Sequence, residues 1–163
     1  MSERGLRGRR GTGAGQAARR LRVVEDAPGG GPGRAPLDEE LQVKGEPGEL
    51  KRARDFAGAA AEESGFDDAG CYQFMLAASE TLTNAIEHGN PFPDGRYRLR
   101  AVMEGDRLSL YVSDCGAWTW EMSDPGFLSE RGRGLGLVSL LMDEVELRPS
   151  GDATTVRMSK RLR

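Results

Sequence analysis

The sequence predicts an α+β fold in which helices cover one face of a mixed, mostly antiparallel sheet. Three observations support this prediction: a helical apolar period between residues 67 and 90, a change to a period of two after residue 95, and the order of the elements. That order is strand, helix, helix, strand, strand, long loop, helix, strand, strand. Hairpins combined with segregated helices are typical of a two-layer sandwich.

The longest predicted helix lies within residues 67–90 and has two different faces. Glu80 and Asn84 are one turn apart on the polar face, with Glu87 and His88 beside them. The opposite face is apolar and needs a sheet or another helix to cover it. Its members are Cys71, Phe74, Met75, Ala78, Leu82, Ala85 and Ile86.

Glycine and proline residues predict where this helix ends and where two other helices begin. Gly89 is predicted to adopt the left-handed conformation that ends many helices, and Pro91 cannot continue the helix. An earlier helix opens at Pro47 and continues through residues 51–63. A third follows the glycines of residues 132–136, and its apolar residues are Leu137, Val138, Leu140 and Leu141.

The remaining elements have the period of two that is typical of strands. Residues 41–44 form a short first strand, and residues 96–103 and 108–113 form an antiparallel hairpin with one buried face. Residues 145–147 and 153–160 supply the last two strands. The side chains predicted to face the core of the hairpin are Tyr97, Leu99, Ala101, Met103, Leu108, Leu110 and Val112.

The amino-terminal segment differs in composition from the rest. Residues 1–36 hold eight arginines, three acidic residues and nine glycines, so their net charge is +5; the whole chain is −3, which leaves −8 for the remainder. Such a segment cannot bury enough apolar surface to offset its ordering entropy. Residues 1–37 are therefore predicted to be a disordered basic tail and linker, and residues 38–163 one folded domain. The tail is either a solvated or over-extended start, or a basic arm for an acidic partner or nucleic acid.

Several functional classes are excluded or disfavoured. No run of 18 apolar residues is present, and the basic amino terminus lacks the apolar region of a signal peptide. Cys71 and Cys115 lie far apart and are expected to be reduced thiols of a cytoplasmic protein. A single histidine makes a histidine-based metal site unexpected, and the charge of −8 disfavours nucleic acid as a partner of the folded domain.

Three polar features are candidates for chemistry, and each has an ordinary structural explanation. The face that carries Glu80 and Asn84 is either a solvated surface or a site. The glycines of residues 132–136 precede a helix, where backbone N–H groups bind phosphate, but close helix packing also explains them. Asp114 and Gly116 follow a strand as a common turn does, although a carboxylate there can also accept a hydrogen bond from an exocyclic amine.

Taken in this order, the three features resemble the GHKL ATP-binding fold, which is also called the Bergerat fold. The segment Glu80-x-x-x-Asn84-Ala-x-x-His-Gly89 resembles its N box. Asp114-x-Gly116 looks like the first glycine box, residues 131–137 look like the second, and the loop between them corresponds to the ATP lid. The resemblance covers residues 38–162 and is strongest to the RsbW-like anti-sigma-factor serine/threonine kinases.

The resemblance implies roles for the matched residues. Asn84 would coordinate Mg²⁺ that bridges the phosphates of ATP, and Glu80 would be the general base that activates a serine or threonine hydroxyl. Asp114 would accept from the adenine amino group, with Gly116 lining the base pocket. The remaining expected nucleotide contacts are Gly132, Gly134, Leu135 and Gly136 at the phosphates, Arg131 or Arg133 at the γ-phosphate, and Thr154 below the adenine.

The implied activity is phosphorylation of a STAS-type anti-sigma-factor antagonist, together with sequestration of a sigma factor by a cytoplasmic homodimer. Two alternatives remain open: a nucleotide-dependent partner-switching protein without effective phosphotransfer, and a bare regulatory ATPase. Intact Glu80 favours the kinase. The first glycine box often continues with a second glycine, however, and this chain has Trp118 in that place.

Overall fold

The computed structural model describes residues 21–23, 37–116 and 133–163, and every structural statement below concerns these residues. They contain helices on one side of a sheet, as the sequence predicted. The elements in chain order are β1 (Leu21–Val23), β2 (Leu37–Val43), α1 (Pro47–Glu63), α2 (Asp68–His88), β3 (Tyr97–Glu104), β4 (Arg107–Asp114), α3 (Arg133–Leu141), β5 (Glu144–Ser150) and β6 (Ala153–Arg161).

The strands form one sheet in the order β1-β5-β6-β4-β3-β2. All neighbouring pairs are antiparallel except β1 and β5, which are parallel, so the predicted mixed and mostly antiparallel sheet is confirmed. The register places Asp114 at the end of β4 directly opposite Thr154 on β6. This pairing brings a residue of the first glycine box to a strand that is distant in sequence.

Strand β1 lies inside the segment for which disorder was predicted. Leu21 pairs with Val145 and Val23 with Leu147, at the edge of the sheet. Leu21, Arg22 and Val23 give a short period of two, which is compatible with a strand although the surrounding composition is rich in arginine. The division of the chain at residue 38 stays a prediction, and β2 begins at Leu37.

Helix α1 begins at Pro47, where a missing N–H does not matter, and ends before Gly65, whose φ of +90° suits glycine. Its buried face consists largely of alanine, which lets α1 approach α2 closely. The fully buried members of this face are Ala53, Ala57, Ala60 and Ala61.

Helix α2 is the central element of the helical layer. The side chain of Asp67 caps its amino terminus by accepting a hydrogen bond from Gly70 N at 2.8 Å. Phe74 is fully buried and meets Phe66 edge-to-face, with ring centroids 5.3 Å apart. The predicted apolar face is confirmed at its centre, whereas its flanking members are only half-buried; these are Cys71, Met75 and Ile86.

Helix α3 is short and packs one side against α2. Val138 is fully buried, as is Met142 just after the helix. Leu140, one of the apolar residues of the predicted helix, is 67% exposed and does not belong to its covered face. A nine-residue helix presents few residues to its neighbour, and Leu140 lies on the side of the turn that faces away.

No helix in the described part of the chain is long and apolar enough to cross a membrane.

Candidate functional site

The carboxylate of Glu80 and the amide of Asn84 lie together beneath the first turn of α3. They are one turn apart on α2, as their spacing predicted. A Cβ added to Gly134 would lie 2.9 Å from Asn84 Nδ2 and 3.1 Å from Glu80 Oε2. Gly134 therefore has no side chain because the two polar groups occupy the space that a side chain would need.

The amide nitrogen of Asn84 has no hydrogen-bond partner among the residues that the structure describes. This Nδ2 atom is buried. A buried polar group without a partner is costly, and it marks a place where a ligand would supply the missing interaction. The amino-terminal turn of α3, which directs backbone N–H groups outward, begins immediately beside it.

Asp114 occupies the far end of the same region, at the end of β4. Its side chain is buried, with 8% of the residue exposed. Gly116 N donates to Asp114 Oδ1 at 2.7 Å, and the backbone N–H of Asn90 is a second donor to the carboxylate. Cys115 N donates to Asn90 O at 2.8 Å, which ties the end of β4 to the end of α2.

Gly89 ends α2 in a conformation that differs from the prediction. Its φ of −100° and ψ of −162° are extended, so the expected left-handed conformation is wrong. A Cβ at this position would lie 2.5 Å from both Cγ and Oδ1 of Asp114. Glycine is required here because the Asp114 carboxylate packs directly on the backbone, and the sequence gives no sign of that tertiary contact.

The electrostatics of Asp114 follow from its burial. Removal from water raises the pKa of Asp114 to about 6, although the N–H groups of Gly116 and Asn90 oppose the shift. Tyr97 is also buried, and burial raises the pKa of its hydroxyl, with a further contribution from the charge of Asp114. The carboxylate thus lies in an apolar setting where an added hydrogen-bond donor would have a large effect.

Thr154 extends the contacts of this end of the site. Its Oγ1 donates to Gly116 O at 2.6 Å, and the residue is 8% exposed. Thr154 therefore fixes the carbonyl group of Gly116, two residues after Asp114. From the sequence, only the family resemblance indicated that Thr154 lies near Asp114. Its hydrogen bond to the Gly116 carbonyl supports the backbone beside Asp114.

Replacing Thr154 with valine should lower the free energy of unfolding by about 0.5–1.5 kcal/mol, because the half-buried Gly116 carbonyl loses its donor. Thr154→Ser keeps the hydroxyl and is the matched control. Urea denaturation of the two variants measures the difference. Equal stability of Thr154→Val and the unchanged protein would show that the hydrogen bond contributes nothing.

The remaining predicted residues divide into two groups. Arg133, Gly134, Leu135 and Gly136 form the start of α3, and a Cβ at Gly136 would meet no atom within 4 Å. Arg131, Gly132 and Trp118 lie outside the described residues. The structure thus brings Glu80, Asn84 and Gly134 together, and separately Asp114, Gly116 and Thr154, with α2 joining the two groups.

Three contributors to the site were not predicted: Gly89 as a packing partner, the Asn90 backbone, and Tyr97. Tyr97 was expected only as a core residue of the hairpin. The one available signal was the position of Gly89 and Asn90 directly after the polar helix.

The profile of the histidine kinase-like ATPase domain matches residues 43–160. The chain belongs to this family. Within it, the chain is 35% identical over 100 residues to the serine-protein kinase RsbW of Bacillus pumilus, covering 52% of this chain and 61% of that protein. It is 31% identical over 136 residues to RsbW of Bacillus velezensis, covering 76% and 84%. These matches place it with the RsbW serine kinases of the histidine kinase-like ATPases.

Solved structures support the same fold. The RsbU and RsbW domains of Rv1364c from Mycobacterium tuberculosis superpose with a TM-score of 0.58 at 22% identity, over 76% of this chain and 32% of that chain. The SiaB–SiaC complex from Pseudomonas aeruginosa gives 0.52 at 12% identity, over 77% and 89%. At these identities the likeness concerns the fold alone.

The polar groups present fit a magnesium ion that takes some of its ligands from the protein and the others from a bound nucleotide. The described residues contain no cluster of three or more His, Cys, Asp or Glu side chains that would hold a metal by themselves. The unpartnered Nδ2 of Asn84 is a donor that suits a phosphate oxygen, and Oδ1 of the same amide is the atom that could ligate Mg²⁺, which commonly takes only one or two protein ligands besides phosphate and water. If a magnesium ion binds here, phosphate oxygens and water would supply its remaining ligands.

Proposed function

We propose that this histidine kinase-like ATPase domain is an ATP-dependent serine/threonine protein kinase that phosphorylates a STAS-type anti-sigma-factor antagonist. The observation that carries the proposal is the placement of Glu80 and Asn84 beneath the Gly134 turn, with Asp114 held at the other end of α2. Helix α2 thereby carries both the carboxylate of Glu80 and the amide of Asn84, and it fixes their distance from the buried carboxylate of Asp114. A solvated helix face would not pack these groups against a glycine.

The base of the nucleotide would bind at Asp114. The carboxylate is buried, is held by two backbone N–H groups, and retains acceptor capacity for the amino group of adenine. Gly116 presents backbone without a side chain, which lets a flat base approach. Thr154 holds the Gly116 peptide from below.

The phosphates would bind at the start of α3, where Gly134, Leu135 and Gly136 direct N–H groups outward from the helix terminus. Arg131, Gly132 and Arg133 complete the motif in the sequence, and an arginine there would stabilise charge on the γ-phosphate. Bound Mg²⁺, held by Asn84 with phosphate oxygens, would neutralise negative charge during transfer.

Phosphoryl transfer would use Glu80 as the base. The hydroxyl oxygen of the partner's serine or threonine forms a bond to the γ-phosphorus, and the bond from that phosphorus to the β–γ bridging oxygen breaks. Glu80 takes the hydroxyl proton, and ADP leaves with the bridging oxygen. Positioning and charge stabilisation account for most of the catalysis in such reactions, which suits a site built from backbone amides and a few side chains.

Partner exchange would follow from this chemistry. A phosphate adds charge of about −1.5 to −2 to the antagonist, so a surface that binds the unmodified protein would release the product. The released domain, as a cytoplasmic homodimer, would then hold a sigma factor. Similarity to the RsbW kinases supports these assignments, which concern partners outside the chain.

The test combines the full chain with MgATP labelled at the γ-phosphate and with candidate STAS-type proteins. We expect ATP binding and transfer of label to a serine or threonine of one partner. ATP binding without transfer to any partner would instead support the nucleotide-dependent switch, for which Trp118 in the first glycine box is the favouring observation. Absence of ATP binding in the presence of Mg²⁺ would overturn both readings.

A further inference from the structure

We propose that Gly89 positions the Asp114 carboxylate and thereby determines the preference of the site for a 6-aminopurine base. This inference rests on the proposed nucleotide site and adds to it a specificity-determining residue that touches no substrate. Gly89 is the residue after α2, and its sequence position indicates only the end of a helix.

The conformation of Gly89 does not explain why it is glycine. Its backbone is extended and is open to any residue. The constraint is steric, because a Cβ would lie 2.5 Å from Oδ1 of Asp114 and 2.7 Å from Ala85 O. Any larger residue must therefore displace the carboxylate or the end of α2.

Gly116 packs against the same carboxylate oxygen. A Cβ at Gly116 would lie 2.5 Å from Asp114 Oδ1 and 3.1 Å from the Cα of Gly89. The carboxylate is thus packed against two adjoining glycine backbones, while Gly116 N and the backbone N–H of Asn90 donate to it. This arrangement leaves the acceptor little freedom to rotate, and a fixed acceptor discriminates an amine from an oxygen at the same place on a base.

Gly89 also relates the two ends of the site. It follows Asn84 by five residues, about 7.5 Å along a helix axis. The hydrogen bond from Cys115 N to Asn90 O holds the end of β4 in register with that helix. The separation between Asn84 at the phosphate end and Asp114 at the base end is consequently set by the length of α2 and by the contact of Gly89 with Asp114.

The experiment measures the affinity of the full chain for ATP and for inosine triphosphate, which has an oxygen in place of the 6-amino group, both with Mg²⁺. The unchanged protein should prefer ATP. In Gly89→Ala, ATP binding should weaken about tenfold or more, whereas inosine triphosphate binding should change by less than about threefold. Gly48→Ala is the control, because a Cβ at Gly48 meets no atom within 4 Å.

A second measurement distinguishes displacement of the Asp114 carboxylate from a general disturbance of the nucleotide site. If Gly89 acts through Asp114, adding Gly89→Ala to Asp114→Asn should weaken ATP binding little further. Multiplied losses, or an unchanged preference for ATP in Gly89→Ala, would overturn the inference. If Gly89→Ala does not fold, Gly116→Ala must show the same non-additive loss with Asp114→Asn. Failure of the unchanged protein to bind either nucleotide would instead refute the proposed function.

Discussion

Replacing Glu80 with glutamine should abolish phosphoryl transfer to the partner protein while leaving ATP binding intact. Glutamine keeps the size and one acceptor oxygen of the side chain beside Gly134, but its amide cannot take a proton from the attacking hydroxyl. Loss of a general base lowers such rates by about 10²–10⁴-fold. Single-turnover transfer of labelled phosphate, with ATP saturating both proteins, measures the chemical step.

The matched control is Glu87→Gln on the same helix. Glu87 is exposed, and its contact with His88 is a 3.7 Å surface pair, so its loss should not alter transfer. Equal rates for Glu80→Gln and the unchanged protein would remove Glu80 from the role of base. A loss of ATP affinity in Glu80→Gln would instead assign the carboxylate to nucleotide or metal binding.

The sequence was sufficient to predict what depends on periodicity. The 21-residue helix α2 and the β3–β4 hairpin appear where the apolar patterns indicated, because each pattern is a local property of the chain. The placement of Glu80 and Asn84 one turn apart on α2 follows from the same periodicity. Strand β1 was missed because three residues inside an arginine-rich segment give too short a pattern.

Other features depend on contacts between distant segments. Leu140 is apolar but exposed, because the side of α3 that meets α2 decides which of its apolar residues are covered. Gly89 was assigned to a left-handed turn because that is the usual reason for glycine after a helix, whereas here the reason is a carboxylate 25 residues later in the chain. The burial that raises the pKa of Asp114 is likewise a property of the assembled fold.

Asp114→Asn should stabilise the nucleotide-free protein at pH 8. Burial raises the pKa of Asp114 to about 6 in the folded protein, whereas the ordinary pKa of an aspartate is 3.8. The contribution of Asp114 to the free energy of unfolding of the unchanged protein therefore falls as the pH rises from about 4 to about 6, and it is constant above pH 6. Asparagine avoids the cost of burying a charge, so the variant should be more stable by up to about 3 kcal/mol above pH 6, and by little near pH 4.

Urea denaturation of both proteins between pH 4 and pH 8 measures this difference, and the comparison cancels the other carboxylates. Asp152→Asn, in the exposed turn before β6, is the control for the effect of the same substitution on the surface. If Asp114→Asn is instead less stable at pH 8, the hydrogen bonds from Gly116 and Asn90 outweigh the burial of charge.

The same substitution should have the opposite effect on function. An ionised Asp114 is the stronger acceptor for an adenine amino group, so ATP affinity of the unchanged protein should rise with pH through about 6 and then level off. Asp114→Asn should bind ATP about tenfold or more weakly at pH 8 and lose this pH dependence. Titration calorimetry across the same pH range measures both. If Asp114→Asn is more stable but binds ATP more weakly, the buried charge serves recognition at the expense of stability. If its affinity for ATP is unchanged, the adenine binds somewhere other than at Asp114.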